Sequence, residues 1–66
     1  MKINLAKVKS VKEFVAIAEN KKCDVLIKSG NWCINGKSIL GIFSLDLSNP
    51  VELFCDDLSG FEKFKA

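Results

Sequence analysis

The side chains able to do chemistry are few, and their types exclude more than they propose. The 66 residues hold three cysteines and no histidine, and all ten basic side chains are lysines. Without an imidazole there is no neutral nitrogen nucleophile near neutral pH, since solvated lysine ammoniums are protonated there. Cys23, Cys33 and Cys55 form no C-x-x-C pair and are odd in number. They read as reduced, small, buried or half-buried hydrophobes. With no histidine and no close cysteine pair, no metal site is expected. Asp56-Asp57 has no partner acid or base at a recognisable spacing and reads as a solvated loop before a last helix. Ser38 stands where a helix should start, and its hydroxyl is suited to accept a backbone N–H there. No catalytic residue and no cofactor site emerge, and the chain is expected not to be an enzyme.

The totals narrow the class. A net charge of +2 is small, and without arginine the bidentate reading of guanine or phosphate is lost, so no direct nucleic-acid partner is expected. No apolar run approaches the ~20 residues that span a bilayer, so no membrane partner is expected. The first residues mix charge with apolar side chains and do not resemble a signal peptide, so a cytoplasmic location is expected.

These residues must be positioned by a small set of elements. Lys2 to Val8 alternates as a strand, with Ile3 and Leu5 on one face. Ser10 followed by Glu13 has the spacing of a capping box. Val11, Phe14, Val15 and Ala18 then form one apolar helical stripe, closed by Asn20-Lys21-Lys22, whose cations suit a helix C-terminus. Cys23 to Lys28 alternates, Ser29-Gly30-Asn31 is turn chemistry, and Trp32 to Ile34 is the returning strand of a hairpin. Trp32, at the hairpin tip, reads either as a lid over the sheet edge or as part of a contact surface. Asn35-Gly36 ends that strand, and a second helix runs from Ile39 to about Leu45. Ser48-Asn49-Pro50 turns into a fourth strand, Val51 to Cys55. Phe61 and Phe64 mark a final helical turn or two. The order is β-α-β-β-α-β-α in a single domain spanning 1–66. The expected fold is α+β: an open-faced sandwich with a four-stranded antiparallel sheet and helices on one face. Ile3, Leu5, Val25, Ile27 and Leu53, with one face of each helix, should form the core.

The stretch Lys37-Ser38-Ile39-Leu40-Gly41-Ile42-Phe43-Ser44-Leu45 resembles the regulatory-serine helix of HPr, the phosphocarrier of the bacterial sugar phosphotransferase system. The likeness extends from Phe14-Val15 and Ala18 through the hairpin to Leu47, about half the chain. It implies the same open-faced β-sandwich. The family's catalytic histidine sits in a loop after the first strand, followed by arginine and proline. Here Lys7-Val8-Lys9-Ser10 joins strand to helix directly, and none of those three residues is present. The family's glycine after Ser-Leu is Asp46, a residue that tolerates a left-handed backbone. The C-terminal helix is shorter than the family's.

The resemblance implies a non-catalytic regulatory or protein-interaction module, akin to the catabolite-repression homologue of HPr, which also lacks the histidine. Ser38 is then the candidate for regulatory phosphorylation by an HPr-kinase-like enzyme. Phosphate there would meet a helix N-terminus, with Lys37 adjacent. The second helix is apolar over more than half its circumference, wider than one buried face requires. Either the small core absorbs the excess, or Ile39, Leu40 and Phe43 form an exposed patch. The matching positions in HPr meet partner proteins, which makes Lys37, Ile39, Leu40 and Phe43 the expected protein-contact residues. The partner would be the kinase-like enzyme, a transcriptional regulator or a second copy in a homodimer. The alternatives are a structural, oligomer-forming protein without phosphate chemistry and, least in keeping with the composition, a phosphocarrier.

Overall fold

In the computed structural model, which describes all 66 residues, the stripe Val11, Phe14, Val15 and Ala18 is buried on one side of α1 (Val8–Glu19). Beneath α1 lies one antiparallel sheet built from β1 (Lys2–Ile3), β2 (Val25–Ser29), β3 (Trp32–Asn35) and β4 (Val51–Cys55), in the order β1-β4-β2-β3. A short α2 (Ile39–Phe43) packs beside β3 and α1, and a single 3-10 turn, Glu62–Phe64, stands where a last helix was expected. The strand alternation decides which side chains meet the helices. Val25, Ile27, Val51 and Leu53 point inward and are buried, while Leu26 and Phe54 sit opposite one another on the outer face. Each fully buried aliphatic or aromatic side chain contributes roughly 1.5–3 kcal/mol. The centre is aromatic: Phe14 tilts against Phe61 with ring centroids 4.9 Å apart and meets Phe64 edge-on at 5.7 Å.

Two glycines are required by geometry. Gly30, at φ +59°, makes the tight turn between Ser29 and Trp32. Gly36 lies buried where the chain leaves β3, donating to the Val25 carbonyl at 2.7 Å, and a Cβ there would come within 2.6 Å of the Val25 side chain.

The first strand is much shorter than its alternation suggests, and the reason lies across the sheet. Ile3 pairs with Val51, so the next residue would face Pro50, which has no N–H to give. The chain leaves the sheet at Asn4, whose side-chain oxygen accepts the Ala6 N–H at 3.0 Å. Leu5 still reaches the core. With no strand to pair with, Val8–Ser10 wind into helix instead, starting from the bond of the Val11 N–H to the Lys7 carbonyl at 3.1 Å. This overturns the capping box. Lys7 is the N-cap, without a side-chain bond; Ser10 lies inside the helix; and Glu13 pairs with Lys63 at 3.0 Å. At the other end Asn20 closes α1, its side-chain amide donating to the Ala16 carbonyl at 3.1 Å.

The second helix also stops early. Ser44 ends it, with both its N–H and its hydroxyl donating to the Gly41 carbonyl, at 3.2 and 2.6 Å. No residue other than glycine has positive φ, so Asp46 is not left-handed. The turn is held instead by its carboxylate, which accepts the Ser48 N–H and hydroxyl at 3.1 and 2.6 Å.

The sheet's two edges differ. Beyond β1 the C-terminal segment continues the pairing: Ile3 bridges Lys65, the Asn4 N–H reaches the Phe64 carbonyl at 2.7 Å, and the Ala66 N–H reaches the Lys2 carbonyl at 3.0 Å. Beyond β3 there is no further strand.

Candidate functional site

Ser38 caps α2 as its sequence position suggests. Its backbone is extended, at φ −99° and ψ 103°, and its hydroxyl oxygen accepts the Gly41 N–H at 3.2 Å. The side chain is exposed. From it the helix presents two faces. Ile42 is fully buried, and Ile39 is half-buried against the same core. Leu40 and Phe43, three residues apart, share the outward face, and Leu40 is 81% exposed and Phe43 41%. The expected patch of three is therefore two, because the buried side of so short a helix claims Ile39 together with Ile42.

Lys37 does not accompany Ser38. Its ammonium donates to the Lys21 carbonyl at 3.0 Å, just beyond the end of α1, and its N–H donates to the Asn35 side chain at 2.9 Å. The cation that sequence order places beside the serine thus serves the C-terminal end of the first helix. Trp32 is no lid. It points to the helix side of β3 but is 71% exposed, and it lines an open cleft with Leu45 and Asp46 beyond the end of α2.

A second cluster was not anticipated from the sequence. Lys21, only 9% exposed at its side chain, donates to the Ser59 carbonyl at 2.6 Å and to the Ser59 hydroxyl at 3.1 Å, and pairs with Asp57 at 3.1 Å. Asp57 is therefore bonded rather than merely solvated. The Ser59 hydroxyl and the Lys21 ammonium hold its carboxyl down at about 2. Beside this pair the Cys23 and Cys55 sulphurs approach to 3.3 Å, and the Cys55 thiol also reaches the Asp57 carbonyl at 3.2 Å. The bond from Cys55 lowers the Cys23 pKa, while burial raises that of Cys55. Cys33 lies apart, exposed on the outer side of β3. The sequence does carry one signal for the pair. Cys23 continues the inward alternation of β2, and Cys55 that of β4, so pairing those strands antiparallel brings both to one end.

No family model, curated protein or solved structure matches the chain. No helix is long and apolar enough to cross a membrane.

Proposed function

We propose that this chain is an HPr-like, non-catalytic regulatory module that docks a protein partner on the outward face of α2 and is tuned by phosphate on Ser38. The observation that carries the reading is the juxtaposition on one short helix of an exposed serine at its start and two exposed apolar side chains, Leu40 and Phe43, on its free face. The open-faced layering of one antiparallel sheet under two helices supports the likeness to HPr. The absence of histidine removes phosphohistidine carriage.

The physics of the switch follows from the placement. A phosphate of about −2 charge resists burial in an apolar contact, so it either meets basic side chains on the partner or breaks the contact. Lys37, held on the Lys21 carbonyl, leaves that charge for the partner to satisfy. The partners this implies are an HPr-kinase-like enzyme that modifies Ser38 and a protein, such as a transcriptional regulator, that reads the result.

The test has two arms. Incubation with an HPr kinase and ATP should add one phosphate by mass spectrometry, and Ser38→Ala should abolish it. Phe43→Ser should weaken partner association by roughly 1–3 kcal/mol, as for an interface aromatic anchor, with the melting midpoint little changed. A steep fall in that midpoint at unchanged association would place Phe43 in the core and defeat the reading. Incubation with phosphoenolpyruvate and the first enzyme of the pathway should leave the mass unchanged.

A further inference from the structure

We propose that Cys23 and Cys55 form a reversible dithiol–disulfide site that takes hydroperoxides as its oxidant. The two sulphurs lie 3.3 Å apart although 32 residues separate them. A disulfide bond is about 2.0 Å long, so they need to close by only a little over an ångström. The same two chain segments are already clamped alongside. Lys21, two residues before Cys23, pairs at 3.1 Å with Asp57, two residues after Cys55. That ion pair and the Lys21 bonds to Ser59 fix the approach of the connection between α1 and β2 to the end of β4. Both cysteines are half-buried rather than sealed, and Cys23 opens onto a surface cleft rimmed by Lys21 and Lys22. A small oxidant has a path in, past a rim that also carries the Asp56 and Asp57 carboxylates.

The roles divide by access. Either thiol can donate across the 3.3 Å contact, and the Cys55 thiol also reaches the Asp57 carbonyl at 3.2 Å. Cys23 lines the cleft and Cys55 does not, so Cys23 is the nucleophile that meets the oxidant. The lowered pKa of Cys23 and the raised pKa of Cys55 agree with that division. The Cys23 thiolate attacks one oxygen of hydrogen peroxide and the O–O bond breaks. Hydroxide leaves and is protonated to water, and the sulphur, oxidised by two electrons, becomes a sulfenic acid. The Cys55 sulphur then attacks that of Cys23. The S–S bond forms, the S–O bond breaks, and the departing hydroxide takes the Cys55 proton and leaves as the second water. Two thiols and one peroxide give one disulfide and two waters. A dithiol reductant reverses the state by exchange.

The consequence is a covalent tie between the α1–β2 connection and the end of β4. The inference is independent of the reading of α2 and survives its failure.

The experiment uses the whole chain in its reduced form, with all three thiols free, treated with one equivalent of hydrogen peroxide. The thiol count in denaturant should fall from three to one. The monomer should lose the mass of two hydrogens, and peptide mapping should join Cys23 to Cys55, with dithiothreitol restoring all three thiols. Cys55→Ser should leave a sulfenic acid on Cys23 that dimedone traps, and Cys23→Ser should slow peroxide consumption by about ten-fold or more, the scale on which a reactive thiolate differs from an ordinary thiol. Three thiols remaining after treatment, a bridge that includes Cys33, or dimedone labelling confined to Cys33 would each overturn the proposal. The first measurement is made on the unaltered chain, so poor folding of a variant does not obscure it.

Discussion

The tripeptide Asp-Leu-Ser occurs twice, at 46–48 and at 57–59, and folds the same way both times. In each copy the aspartate oxygen accepts the serine N–H at 3.1 Å and the serine hydroxyl at 2.6 or 2.7 Å. What differs is the cation. Lys21 grips the second copy from 38 residues away, whereas the first has only its own bonds. The carboxyls record the difference: Ser48 alone lowers Asp46, while Ser59 and Lys21 together take Asp57 to about 2. A local motif makes a turn, and a distant charge decides whether the turn belongs to the body of the protein. The first copy follows α2 and its exposed Leu40 and Phe43, a segment shaped by short-range bonds. The second lies over the aromatic core and beside the paired cysteines.

The contrast breaks most completely from beneath. Phe61 is fully buried, packs on Phe14 and sits 5.2 Å from the Lys21 ammonium. Phe61→Ala should cost about 3–5 kcal/mol, enough to unfold so small a domain in a urea titration. Lys21→Met should make the second turn behave like the first. Its bonds are charge-assisted, but Asp57 is largely exposed, so the expected cost is about 1–2 kcal/mol, with faster amide exchange confined to residues 57–60. Ser38→Ala should cost about 1 kcal/mol, the value of an N-cap, and raise exchange only at Gly41 and its neighbours. The smallest effect is in acid. A carboxyl that titrates at about 2 folded, against an ordinary 3.8, adds stability that is full above pH 4 and lost as the pH falls through 2. Asp57→Asn should therefore flatten the acid limb of the melting curve more than Asp46→Asn does.

The comparison also shows where sequence reading stops. The span of β4, the apolar stripe of α1 and the cap at Ser38 were legible because each is decided by residues a few positions apart. The start of α1 was not, because Pro50 truncates β1 from across the sheet. The bond of Lys37 is not legible for the same reason: the acceptor of its ammonium is a carbonyl 16 residues away. Ile39 turned inward because a helix of five residues is rotated by whatever its core side needs. The cysteine pair needs the register of β2 on β4, which no local pattern states.

The placement of β1 has a kinetic meaning. Its two residues lie between Glu52 and Val51 on one side and Lys65 on the other. An early segment is thus enclosed by two late ones, while β2 and β3 meet through a turn of two residues. The hairpin can close in about 1–10 μs, but the β1 edge waits for a loop of nearly the whole chain, and the entropy of that closure falls before any contact repays it. The folding barrier is therefore expected to sit at the docking of β1, with substitutions in the hairpin changing the folding rate and those around Lys65 mainly the rate of unfolding.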